Sequence, residues 1–127
     1  MKMILRILLL TLGALFWLAA CGANSTPLPP LPLKIVARDT QFEPNILTGT
    51  VNQAITLTIE NQGAQPHSFV IDELKINSGP IEPGKQATVT IVSNRIRTYS
   101  NGGALPFYSD MPGDKDAGLV GNLSFTP

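Results

Sequence analysis

The chain has 127 residues, 43% of them hydrophobic and 14% charged, with 9 basic against 9 acidic side chains, one His and one Cys. This balance excludes a nucleic-acid partner, which calls for clustered Lys and Arg. The one close basic pair, Arg95 and Arg97, has the alternate spacing of a solvated strand face. A single cysteine excludes a disulfide framework, so the folded part has to stand on its core.

Lys2 and Arg6 open the chain, residues 7–20 form an apolar run too short to span a bilayer comfortably, and small residues precede Cys21. That is the pattern of an export signal over residues 1–20. Leu18-Ala19-Ala20-Cys21 resembles the lipobox of bacterial lipoproteins. The resemblance implies acylation at Cys21, cleavage before it, and anchoring to a bacterial membrane on its periplasmic or extracellular face, with no free thiol left in the domain. Removing Lys2 and Arg6 leaves 7 basic against 9 acidic residues over 107 residues, the usual size of one domain. Residues 21–33 carry the lipidated Cys and four prolines, a composition that favours an extended spacer holding the domain about 30 Å from the lipid.

The domain is expected over residues 34–127. Residues 34–38 alternate Ile35 and Ala37 against Lys34, Val36 and Arg38, a first strand. Pro44 places residues 42–46 at an edge or bend, because proline cannot donate to a ladder. Gly49 predicts a turn. Residues 54–60 alternate strictly, with Ile55, Leu57 and Ile59 on one face, and form the clearest strand. A turn cluster over 61–66 leads to a strand over 67–72. Residues 73–85 read as a long loop ending in the tight turn Pro83-Gly84-Lys85. Residues 86–92 alternate again, 93–104 read as a loop with a short strand in it, and 119–125 close the domain. Short strands between turn signals, with no helical period, predict an all-β Greek-key β-sandwich.

The stretch from Gly103 to Gly121 reads as a short strand into Tyr108, a turn on Met111-Pro112-Gly113, and a small-residue return into the last strand. Positions 109, 114 and 119 can then converge at one end of the sandwich. This loop resembles that of the cupredoxins, the blue-copper proteins, in which a Cys, a His and a Met hold those positions; here they are Ser109, Asp114 and Leu119. The similarity runs in order over residues 34–127: Phe42-x-Pro44, Gly49 before a strand, Asn61 closing it, His67 opening the next, Pro83-Gly84, and the loop itself. It implies a sandwich of cupredoxin type.

A type 1 copper site takes two imidazoles and a thiolate, with a weak axial thioether. Of the four positions that the resemblance marks, His67, Ser109, Asp114 and Leu119, only His67 keeps the family's ligand. The leading expectation is therefore a lipid-anchored, extracytoplasmic binding or interaction module without a functional type 1 site. It is expected to carry no cofactor and no catalytic residue, with the membrane and an envelope protein as partners. The resemblance places the partner-facing rim at Phe107, Tyr108, Met111 and Pro112. His67 facing Asp114 or Ser109 would fill the old metal cavity with a polar pair. The alternative is a weak copper or zinc protein of envelope metal handling, using His67 and Asp114, or membership of an electron-transfer system by fold analogy. Ser109, His67 and Asp114 also have the composition of a hydrolytic triad, but no nucleophile elbow accompanies them.

Overall fold

The computed structural model describes residues 26–92 and 103–127. The export signal, Cys21, the first part of the spacer and most of the predicted loop over 93–104 lie outside the described residues. Within them, nine strands appear in the order β1 (Leu31–Arg38), β2 (Gln41–Glu43), β3 (Ile46–Thr50), β4 (Ile55–Asn61), β5 (Val70–Ile71), β6 (Ile76–Asn77), β7 (Gln86–Ile91), β8 (Leu105–Tyr108) and β9 (Val120–Thr126). A 3-10 turn covers Asp72–Leu74, and a four-residue helix, α1, covers Asp114–Ala117.

The strands form two mixed sheets, one ordered β2-β1-β4-β7 and the other β3-β9-β8-β5-β6. The chain crosses from one to the other after β2, β3, β4, β6 and β7, which makes the expected Greek-key sandwich. The alternation read in residues 54–60 is what the structure uses. Ile55, Leu57 and Ile59 are fully buried, and the partly buried residues between them face outward. Together with Ile35, Ile91, Leu105 and Leu123 they build one continuous core between the sheets.

Several local expectations need correction. The first strand begins at Leu31, not at 34, so three residues assigned to the spacer belong to the domain. Leu31 and Leu33 pair in parallel with Ile55 and Leu57 of β4, and the Leu31 amide donates to the Ala54 carbonyl at 2.7 Å. Pro32 is tolerated because its missing N–H falls on the side where β2, which pairs only with Val36 to Arg38, does not reach. Gly49 lies inside β3 rather than in a turn: a Cβ there would stand 2.6 Å from Ile55 Cδ1 and 2.9 Å from Phe125 Cε1, so glycine lets the sheets approach. The strand expected over 67–72 is reduced to Val70–Ile71, with His67 paired to Ile81 in a single bridge. The long loop contains the 3-10 turn and β6. The return after Met111-Pro112-Gly113 coils into α1, which Gly118 ends at φ 117°.

Three phenylalanines fill the core at one end. Phe42 of β2 meets Phe69 and Phe107 edge-on, with ring centroids 6.1 and 5.4 Å apart, and Phe69 and Phe107 lie 5.0 Å apart at a tilt of 33°. Phe69 and Phe107 stand two residues from His67 and Ser109 respectively. The same period of two that drives the rings into the core therefore turns His67 and Ser109 inward above them.

Candidate functional site

Above the phenylalanines a polar cluster closes the end of the sandwich. His67, Ser68 and Ser109 are buried to within 1% of full coverage, and Asp114 is nearly so. Three expected positions, His67, Ser109 and Asp114, do meet. Asp114 Oδ2 is the hub: the Ser109 hydroxyl donates to it at 2.5 Å and His67 Nδ1 lies 2.7 Å away. Backbone bonds bring the loop to this point. The Ser109 amide donates to the Leu119 carbonyl at 3.0 Å, and the Leu119 amide donates to the Asp114 carbonyl at 3.0 Å. Leu119 joins the core, fully buried.

The sequence reading missed Asp39, in the turn between β1 and β2. Its Oδ1 lies 3.3 Å from His67 Nε2 and accepts the Ala64 amide at 2.7 Å. His67 therefore has a carboxylate at each ring nitrogen. Three further members were not singled out as part of the site. Ser68 donates to Asp110 Oδ1 at 2.5 Å and accepts the Asp110 amide at 2.8 Å. Ser109 Oγ accepts the Ser68 amide at 3.0 Å. Asn61, fully buried, donates to the carbonyls of Gln65 and Ile81 at 2.8 and 2.7 Å and accepts the Gly63 amide, fixing the loop that presents His67. No buried side-chain polar atom among the described residues lacks a partner.

The rim expected around this end is only partly there. Met111 and Pro112 are accessible. Phe107 is 0% exposed, so it cannot face a partner. Tyr108, on the opposite side of β8, points to the outer face of the five-stranded sheet. Its hydroxyl donates to both carboxylate oxygens of Asp72 at 3.1 and 3.0 Å, and Lys115 Nζ lies 4.1 Å from its ring centre. The bond to Asp72 pushes the Tyr108 phenol above its ordinary value.

A sequence model of the cupredoxin-like domain matches residues 8–120. The chain belongs to the cupredoxin-like domain family. Two cupredoxin-like solved structures share its fold. One is a dithionite-reduced auracyanin from the photosynthetic bacterium Roseiflexus castenholzii, 18% identical, with a TM-score of 0.63 over 78% of this chain and 99% of that one. The other is auracyanin B, 19% identical, with a TM-score of 0.62 over 82% of this chain and 93% of that one. No curated protein matches the chain.

The copper that the cupredoxin resemblance implies does not fit the residues at its positions. A hydroxyl replaces the thiolate, a carboxylate replaces one imidazole, and an alkyl side chain replaces the thioether, while both nitrogens of the remaining imidazole are occupied by carboxylates. Asp39 and Asp114 stand at opposite nitrogens of the ring and do not converge on a common point. Among the described residues no three His, Cys, Asp or Glu side chains group closely enough to hold a metal ion. Nor is the trio arranged as a hydrolytic triad: the carboxylate sits between Ser109 and His67, so the ring holds no hydrogen bond to the hydroxyl that it would have to deprotonate.

The Asp39 contact makes this polar cluster, a clasp across the end of the sandwich, acid-sensitive. The Ala64 amide, aided by the bonds from His67 and Gln65 and opposed by desolvation, holds the Asp39 carboxyl below its ordinary value of 3.8. A carboxyl lowered on folding adds stability that is fully present above the ordinary value and is lost as pH falls through the lowered one. Asp39→Asn is expected to remove that part of the acid transition and to leave the neutral-pH fold intact. Circular dichroism followed from pH 7 downward for both proteins checks it.

Proposed function

We propose that this chain is a lipid-anchored, extracytoplasmic cupredoxin-like binding module that has exchanged type 1 copper chemistry for a metal-independent polar clasp. The observation that carries this reading is the engagement of Asp114 Oδ2 by both His67 and Ser109. At the three polar ligand positions the donor atoms bond to one another, and at the fourth Leu119 packs into the core. A metal entering here would have to break bonds between buried groups, each costly to leave unmade, and would find one nitrogen donor, where most stable zinc and copper sites use at least three N or S donors. The non-enzymatic reading rests on the same geometry, since the Ser109 hydroxyl donates to a buried carboxylate that His67 also engages and no imidazole reaches it.

Anchoring through Cys21 at the periplasmic or extracellular membrane face rests on residues 1–21 of the sequence. It leaves residues 22–30 as the tether, three residues shorter than the proline pattern alone suggests. Met111, half-buried, and Pro112, exposed, are the part of the expected rim available to an envelope partner at this loop.

The test is a calorimetric titration of the purified protein with Cu(II) and Zn(II) at neutral pH, with His67→Ala beside it. No saturable binding is expected, and no intense visible charge-transfer band after copper loading. Micromolar or tighter binding that is lost in His67→Ala would replace this reading with metal handling.

A further inference from the structure

The outer face of the five-stranded sheet carries a second feature, on the other side of β8 from the clasp. The register places Tyr108 opposite Val120, and Asn122 opposite both Pro106 and Ile46, so outward-facing side chains of β3, β9 and β8 lie side by side. Four large hydrophobic residues are exposed among those described, and two of them, Ile46 at 65% and Val120 at 42%, line the same cavity of about 400 Å³. A cavity of that volume falls within the range of about 300–1,000 Å³ in which small-molecule sites lie. Scattered surface hydrophobics need no explanation, but a pair sharing one concavity does.

The charges at its edge are unequally committed. Asp72 accepts the Tyr108 hydroxyl with both oxygens. Lys115 lines the cavity with no salt bridge among the described residues, its ammonium held over the Tyr108 ring. An aromatic face fixes an ammonium without neutralising it, so the charge stays available to an anion. Asn45 and Asn122 add amides to the lining.

We propose that this cavity is a binding site for a small organic carboxylate with an apolar body, the carboxylate meeting Lys115 and the body covering Ile46, Val120 and Pro106. A neutral apolar ligand would leave Lys115 without use, and an organic cation would find only Asp72, whose two oxygens are already turned to the Tyr108 hydroxyl.

The test uses the full chain in lipid nanodiscs, isotope-labelled, with 3-phenylpropionate as probe and its neutral amide, 3-phenylpropionamide, as control. Saturable NMR shifts are expected at the amides of Ile46, Lys115 and Val120 with the carboxylate. The neutral amide is expected to bind about twofold to fivefold more weakly, the scale of one exposed charge pair. Lys115→Met, an exposed change whose spectrum reports that the fold is kept, is expected to erase that preference. Val120→Glu is expected to weaken both probes. Equal binding of acid and amide, a preference that survives Lys115→Met, or no saturable shift at these residues would each overturn the proposal. So would a face that takes up neither probe but is covered by an acidic segment of a partner protein.

Discussion

Asp114→Ala is expected to destabilise the domain by about 3–5 kcal/mol, the range for removing one partner of a buried charged pair. The carboxylate is the single acceptor shared by His67 Nδ1 and Ser109 Oγ, and both donors are buried where water cannot replace it. His67 Nδ1 is then left unsatisfied, at about 1–3 kcal/mol, and the Ser109 hydroxyl keeps only the longer 3.3 Å contact with Ser68 Oγ. A loss of this size lowers the melting temperature by on the order of 15 °C for a domain of about this length. Asp114→Asn keeps one carbonyl acceptor and should lose roughly half as much. Ser109→Ala combined with Asp114→Ala should cost less than the sum of the two, because the second change removes a donor that the first has already orphaned. Thermal melts of the wild type, Asp114→Ala, Asp114→Asn, Ser109→Ala and the double variant, with and without a chelator, check this. The loss should be the same in both conditions, since the clasp is made of protein groups. A wild-type protein destabilised by the chelator would mean that a metal, not Asp114, ties this end together.

Much of the fold and of the site is legible in the sequence, and the part that is not has physical reasons. Strands β4 and β7 declare themselves because each buries one face, so period-two alternation is written into residues 55–61 and 86–91. The convergence of His67, Ser109 and Asp114 followed from a resemblance carried by Phe107-Tyr108, Pro112-Gly113 and Ala117-Gly118, residues that shape the loop whatever stands at the ligand positions. Helix α1 has four residues, barely one turn, and so displays no period at all. Leu31–Leu33 was hidden by its prolines, which read as a spacer until the strand pairing reveals that one side of β1 has no neighbour there. Asp39 left no local signal. It lies 28 residues from His67, in a polar turn of ordinary composition, and only the closure of the sandwich brings its carboxylate to the ring. Phe107 was misplaced for a related reason: nearness in sequence to the loop tip suggested the rim, whereas alternation along β8 sends neighbouring side chains to opposite faces.

That alternation leads to the second large effect. Phe107→Ala is expected to cost about 3–5 kcal/mol, whereas Tyr108→Ala, one residue on, is expected to cost about 1 kcal/mol or less. Leu105 and Phe107 face the core; Pro106 and Tyr108 face out. Truncating Phe107 removes its contacts with both Phe42 and Phe69, the ring cluster that joins the two sheets below the clasp. The resulting space has little means of closing. Phe107 pairs with Gly121 across β8 and β9, and a Cβ on Gly121 would run into the Phe107 ring and the Asn45 carbonyl, so the glycine is there to admit the ring and has no side chain to move into its place. A cavity that cannot collapse lies at the costly end of such substitutions. Truncating Tyr108 removes an exposed hydrogen bond to Asp72 and the ring beneath Lys115, both in contact with water. Urea unfolding of the two variants at neutral pH separates the cases: Phe107→Ala should shift the midpoint sharply with little change in slope, and Tyr108→Ala should barely move it. If both variants stayed as stable as the parent, Phe107 would belong at the partner-facing rim after all, and the phenylalanine floor beneath the clasp would have to be given up.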